Sequence, residues 1–340
     1  NLLDAAARAS REVTFELGVA GFHLVATLAL LVVGVRDLAT LVAVQLVARL
    51  AYAIAASATV RELPGYRHPP SARAVLRLAA LPSFTQTAAA TIQNGDVWLV
   101  HWFGGEAAAG LYTVAQRLAS TATLPGAQLL RLLQPHTDRA AHAGDPSATA
   151  ARALRTTGYA VVPIAAGGMV VAEPLCRLFG AEFAAGGDAL LLMLPAFTAL
   201  QFAWQLAQIL FAHGWVGRWA GAQWLGAVAQ AVAIAWLVPR WGATGAAAAA
   251  LLGNALFLVV ARLALGHRLG VSMLRTVAPS LLPAIATAAA ALAALPLGLV
   301  AQLAAGGVAY TATIYALELR SNWRRLGSGL QGASGFGSTR

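Results

Sequence analysis

Long apolar runs, each about as long as a bilayer is thick, repeat along almost the whole chain and are parted by short polar or glycine-containing breaks. A helix that crosses hydrocarbon needs about 20 mostly apolar residues. The pattern predicts ten such helices, over residues 14–35, 38–60, 81–103, 107–133, 156–172, 189–211, 218–238, 242–265, 277–295 and 297–317. Only Pro296 parts the last two, yet at about 1.5 Å per residue their joint length crosses a core of ~30 Å twice. The final stretch, 321–340, is rich in glycine and serine and reads as a disordered tail. Its Gly327-Ser328-Gly329-Leu330-Gln331-Gly332 matches a dinucleotide fingerprint in form alone, since no strand precedes it and no helix is predicted after it.

Composition makes the class firm. Of 340 residues, 59% are hydrophobic and 11% charged, against about 25% charged in soluble domains. The net charge of +10 would suggest nucleic acid in a soluble protein. Here the positive-inside rule accounts for it, and no nucleic-acid partner is expected. Every basic residue is arginine, and the arginines crowd alternate loops: Arg61, Arg67, Arg73 and Arg77, then Arg139, Arg152 and Arg155, then Arg218, then Arg262, Arg268 and Arg275, then Arg320, Arg324 and Arg325. That alternation predicts an inner-membrane protein with both ends of this sequence in the cytoplasm. Tryptophans 98, 102, 215, 219, 236 and 241 fall near predicted helix ends, where an aromatic belt belongs. Gly242, Gly245 and Gly253, with the alanines between them, give the eighth helix a face for close packing. The sequence begins at Asn1 without a signal peptide, and a missing N-terminal part is the expectation.

Ionisable residues inside such helices are the anomaly. Arg49, Asp96, His101 and Arg117 sit within predicted spans, and intramembrane charge marks a pathway or a partner by default. Counted from the helix ends, Arg49, Asp96 and Arg117 lie roughly 10–17 Å below the outer surface. Gln93 joins Asp96 on one face of the third helix, while Thr113, Ser120, Gln128 and Arg131 join Arg117 along one face of the fourth. The residues admit two readings: Asp96 and Arg117 form a structural ion pair, or the polar stripes line a cavity for a ligand or ion. His101, beside Trp98 and Trp102, reads as interfacial. The one cysteine, Cys176, permits no internal disulfide. No metal motif, nucleophile elbow or phosphate-cradling loop is present, so neither an enzyme nor a cofactor is expected.

The order of Asn94-Gly95-Asp96, the Gly104-Gly105-Glu106 turn, Gly110-Leu111-Tyr112 and Ala115-Gln116-Arg117-Leu118 resembles the polysaccharide flippases, the O-antigen type included, of the multidrug/oligosaccharidyl-lipid/polysaccharide exporter superfamily. Leu178-Phe179-Gly180-Ala181-Glu182-Phe183, Ala212-His213-Gly214 and Gly242-Ala243-Thr244-Gly245-Ala246-Ala247 follow in the family's order. The resemblance implies an all-α integral membrane protein of two facing six-helix bundles. Residues 1–67 would then be the last two helices of the first bundle, 80–268 the whole second bundle and 274–320 two additional helices. It implies flipping of an undecaprenyl-diphosphate-linked oligosaccharide by alternating access, for lipopolysaccharide or another cell-surface polysaccharide. Arg49, Arg117, Gln93 and Arg131 would bind the substrate and Asp96 would take a coupling proton or sodium ion, or order the arginines. A multidrug or cation antiporter and a lipid II flippase of the same superfamily are alternatives. Alternatives of another class are a membrane glycosyltransferase or ligase and a non-transporting scaffold.

Overall fold

The computed structural model describes residues 95–126, 146–265 and 272–334, with isolated positions such as Val25, Leu50, Phe84 and Gln128 outside those runs. The chain divides into two compact units, Asn1–Leu76 and Arg77–Arg340. In the first unit only scattered helical positions between Val25 and Leu50 are described, and Leu46, Val47 and Leu50 among them are exposed. The two helices expected there, and most of the third, lie outside the described residues.

The second unit is helical throughout its described residues. Its elements are α1 (Asp96–Ala122), α2 (Pro146–Val170), α3 (Ala172–Arg177), α4 (Gly187–Ala212), α5 (Val216–Leu265), α6 (Met273–Val277), α7 (Leu281–Ala293) and α8 (Leu299–Ser334). Helices α1 and α5 are each two helices joined at a glycine. Gly105 has φ 79° and ψ −177° inside α1, and Gly242 has φ 53° and ψ −131° inside α5. Positive φ is ordinary for glycine and costly for residues with a Cβ. The turn expected at residues 104–106 and the break expected between residues 238 and 242 therefore fall at glycines whose conformation the backbone needs. The 50 residues of α5 are far more than one span requires, and the break at Gly242 makes them a hairpin. Among the described residues, four helical segments are long and apolar enough to cross a membrane by length and composition, counting α5 as one. The protein is an all-α, multi-pass membrane protein.

The hairpin of α5 is closed by backbone rather than side chains. A Cβ on Gly253 would lie 2.6 Å from the Gln230 Cβ and 2.9 Å from the Gly226 carbonyl oxygen, and one on Gly245 would lie 2.5 Å from the Leu237 oxygen. Helix pairs in lipid gain little from burying apolar surface, so close approach and the dispersion it allows supply the attraction. The first half of α5 shows the result. Leu225, Val228, Val232 and Trp236 form one exposed stripe, while Gln223, Gly226, Gln230 and Ile234 form a buried one. Apolar residues face outward and amides inward.

Helices α1 and α4 pack on this hairpin, α2 bridges α4 and α7, and α7 pairs with α8. Small residues mark the seams: a Cβ on Gly104 would meet Val238 at 2.7 Å, and one on Gly167 would meet Thr287 at 2.8 Å. Two sequence expectations are corrected. Trp219 is buried, edge-on to Trp204 and Phe211, so it is a core residue and not part of an interfacial belt. Trp98, Trp102, Trp236 and Trp241 are exposed as a belt requires. Helix α8 runs on to Ser334, into the stretch expected to be disordered. Once a helix is nucleated by an apolar segment, each further residue adds at little cost, and Leu326, Leu330 and Gln331 favour it.

Gly253→Val should lower stability by roughly 1–3 kcal/mol, because neither the Gln230 Cβ nor the Gly226 backbone can withdraw. Thermal unfolding in detergent checks this against Gly221→Ala, where a Cβ meets nothing within 4 Å. Equal melting temperatures for the two variants would show that the α5 crossing is not close-packed.

Candidate functional site

Asp96 opens α1 and is 3% exposed. The turn at Gly105 folds the second half of α1 back, which brings Tyr112 and Gln116, one helical turn apart on one face, against the carboxylate. Tyr112 donates its hydroxyl to Oδ2. Gln116 Nε2 donates to Oδ1 at 3.2 Å and to Oδ2 at 3.0 Å. From α5, Gln230 Nε2 donates to Oδ2 at 3.2 Å. The Val97 backbone N–H donates to Oδ1 at 2.8 Å.

All four groups donate and none is a cation. A carboxylate offers about four acceptor sites and no donor, so the surroundings match the ionised group. Burying a lone carboxylate costs several kcal/mol, and hydrogen bonds to a charged acceptor return about 1.5–3 kcal/mol each. Asp96 therefore ties both halves of α1 to the first half of α5 at one point.

The structural ion pair weighed for Asp96 and Arg117 is not formed. Consecutive residues of a helix point about 100° apart. Gln116 turns inward to Asp96, and Arg117 turns out to an exposed face with Thr121, Leu124 and Gln128. The Arg117 backbone carbonyl accepts bonds from Ser120 Oγ at 2.9 Å and Thr121 Oγ1 at 2.8 Å. Among the described residues the ion pair present is Arg177 with Glu173, 2.5 Å apart and well exposed, which contributes little. Arg49, Gln93 and Arg131 lie outside the described residues, and the structure places none of them. His101 is exposed on α1 near the Gly105 turn, together with Trp98 and Trp102.

Sequence reasoning missed Tyr112, Gln116 and Gln230. The signals were present: Tyr112 and Gln116 at i, i+4 spacing, and Gln223 and Gln230 seven apart in an otherwise apolar helix. Both pairs mark one helical face.

An apolar cavity of about 340 Å³ lies one turn beyond Arg117. It is bounded by Leu118, Thr121 and Ala122 of α1, Gly167 and Gly168 of α2, Leu190 and Leu194 of α4, Thr287 of α7, and Gln302, Gly306 and Tyr310 of α8. Among the described residues no three histidine, cysteine or acidic side chains gather as metal ligands.

This fold and site define a multi-pass helical membrane protein with a carboxylate locked inside its bundle and an arginine displayed on the outer face of the same helix. The pattern that defines the family of polysaccharide biosynthesis proteins matches residues 9–184, just over half of the sequence, and the chain belongs to that family. Among solved structures the chain is similar to the lipid II flippase MurJ in an inward closed conformation, with a TM-score of 0.65 at 11% identity. The match covers 81% of this chain and 61% of that one, so the chain spans about three fifths of that protein's length. At such identity the likeness is one of fold. No curated protein matches the sequence.

Tyr112→Phe should destabilise the protein by roughly 1.5–3 kcal/mol, since it takes a donor from a charged acceptor. The same substitution made in an Asp96→Asn background should cost only about 0.5–1.5 kcal/mol. Thermal unfolding of the four proteins checks this, and equal costs in both backgrounds would mean that the bond is not charge-assisted.

Proposed function

We propose that the complete protein flips a lipid-linked oligosaccharide, carried on undecaprenyl diphosphate, from the cytoplasmic to the outer leaflet of the cytoplasmic membrane by alternating access. Membership of the polysaccharide biosynthesis family and the fold likeness to a lipid II flippase support the class. The observation that carries the reading is local: Arg117 stands exposed on a partly polar helix face, one turn from an apolar cavity. A diphosphate calls for a planar, permanently charged, bidentate donor, which arginine supplies. A branched hydrocarbon chain calls for an apolar slot walled by small residues, which the cavity supplies.

In this reading Arg117 takes the diphosphate, with Arg49, Arg131 and Gln93 as further partners of the headgroup. Residues 1–67 contribute the end of the first bundle, residues 80–268 form the second and residues 274–320 add the last pair. The alternation of arginine-rich loops supports a cytoplasmic position for both ends of this sequence. Asp96, bonded to neutral donors and not to arginine, serves as the site of a coupling proton or sodium ion. A proton would neutralise it outright. A sodium ion would draw on the carboxylate and on the Gln230 Oε1, which has no hydrogen-bond partner.

A second reading, flipping of lipid II itself, is favoured by the structural neighbour. It shares the diphosphate and the polyprenyl chain and differs only in the sugar. A cation antiporter fits less well, because the described cavity is apolar and the exposed charge beside it is cationic.

Arg117→Ala in the full protein should lower the flux of lipid-linked oligosaccharide into proteoliposomes roughly 10- to 100-fold, the loss of one hydrogen-bonded charge pair. Arg117→Lys should recover part of it, because a point charge replaces the fork. Unchanged flux in Arg117→Ala would remove Arg117 from the site, and no flux in the unmutated protein would end the flippase reading.

A further inference from the structure

Two arginines stand at the ends of one exposed stripe on α5. From Arg218 to Arg240, the residues Gly221, Leu225, Val228, Val232 and Trp236 follow at intervals of three or four and all face outward. Twenty-two residues separate the two arginines, about 33 Å of helix, close to the ~30 Å of a hydrocarbon core. Each guanidinium covers an indole. Arg218 lies 5.1 Å from the centre of the Trp215 ring and Arg240 lies 4.6 Å from that of Trp236. The stripe is a lipid-facing surface with one cation at each headgroup level.

The two ends differ in their surroundings. Arg240 donates to the Trp236 carbonyl of its own helix. Near it, Glu106 is exposed in the turn that Gly104 seats against Val238. Glu173, Glu182 and Asp188 belong to the same end of the bundle, where α4 begins. Arg218 instead reaches across the hairpin and donates to the Ala264 carbonyl at 3.2 Å. Trp215, under it, lies 5.2 Å from the His213 ring, whose Nδ1 donates to the Ile209 carbonyl at 2.8 Å. Arg152 and Arg155 of α2 and Arg275 of α6 are exposed around this end, whose core includes Leu154, Leu210 and Leu265. Among the described side chains, none at this end is acidic.

A guanidinium carries five N–H donors, and one of those on Arg218 is used within the described residues. The indole and the carbonyl hold the group in place, so little freedom is lost when the other donors are engaged. We propose that Arg218 and Trp215 bind the phosphodiester of an anionic phospholipid whose acyl chains lie along Gly221, Leu225 and Val228. The surroundings select that ligand. Positive charge without acidic neighbours calls for an anion, and the apolar stripe leading away from it calls for hydrocarbon chains. A single guanidinium fork matches one phosphodiester. At the Arg240 end the same stripe meets carboxylates, so the preference for an anionic headgroup belongs to the Arg218 end alone. This site does not rest on the transport reading above.

The full protein in neutral detergent, titrated with phosphatidylglycerol or with phosphatidylcholine of the same chains, provides the test through its melting temperature, which a ligand of the folded state raises. Phosphatidylglycerol should act at concentrations about tenfold lower than phosphatidylcholine. Arg218→Gln should abolish that difference, and Arg240→Gln should preserve it. No preference in the unmutated protein, an unchanged preference in Arg218→Gln, or an equal loss in Arg240→Gln would each overturn the proposal. Equal stabilisation by inorganic phosphate would overturn it as well, since the site would then take a free anion. Should Arg218→Gln fail to fold, salt decides in the unmutated protein: the preference should fall roughly fivefold or more between low salt and about 1 M, where screening acts within a few ångströms. A preference indifferent to salt overturns the assignment. Lipid binding without flux in the unmutated protein would leave this site standing and remove the transport reading.

Discussion

An ionised carboxylate cannot stay in a dry interior unless donors surround it, and most of the second unit is arranged to meet that demand at Asp96. The donors come from three separate stretches of chain: Val97 at the start of α1, Tyr112 and Gln116 after the Gly105 turn, and Gln230 from α5. Each stretch must arrive within about an ångström of its place, because a hydrogen bond weakens steeply with poor geometry. Gly105 lets α1 fold back on itself, and Gly104 lets that turn lie against Val238 of α5. The glycines along α5 bring its own second half up behind Gln230. One buried charge thereby fixes the register of three helical segments.

The same demand explains the inverted layout of the bundle. In a soluble helix the amides of Gln223 and Gln230 would face water and Leu225, Val228 and Val232 would face the core. Lipid is as apolar as leucine, so nothing is gained by hiding the leucine and valines, while an amide in hydrocarbon is costly. Polar groups move inward and must find one another there. Small residues at Gly226, Gly245 and Gly253 supply the contact that the hydrophobic effect would give in water. Asn254 follows the same logic, donating across the interface to the Ala196 carbonyl at 3.1 Å.

Much of this is legible in the sequence, and the reason is that lipid imposes simple rules. The apolar runs place breaks at 103–107 and 238–242, and the backbone turns at Gly105 and Gly242. Asp96 stands out because charge is rare in a span. The choice of its partner was not legible in that way. Charge complementarity points to Arg117, but one residue of helical rotation decides the matter in favour of Gln116, and amides in a membrane interior look unremarkable beside an arginine. Trp219 misleads for a related reason: nearness to a helix end suggests an interface, whereas Trp204 and Phe211 enclose it. The continuation of α8 to Ser334 reflects cooperativity along a helix, which the local glycine and serine content does not report.

Gln116 and Arg117 are neighbours in sequence with opposite assignments, and this has a mechanical consequence. The first is bonded to the buried carboxylate and the second stands on the exposed face. Between Gly105 and Ala122 they belong to one helical segment, so neither can be displaced without carrying the other. Neutralising Asp96 would convert charge-assisted bonds into ordinary ones, weakening each by roughly a factor of two. The grip on Tyr112 and Gln116 would loosen, and the segment would be freer to rotate about the Gly105 hinge. Arg117 would swing with it. In the flippase reading, a proton or cation at Asp96 thus alters the position of the arginine that holds the diphosphate, although the two side chains never touch. Coupling of that kind needs only one helical segment bonded to the buried carboxylate on one side and carrying the arginine on the other, and the half of α1 after Gly105 has that form.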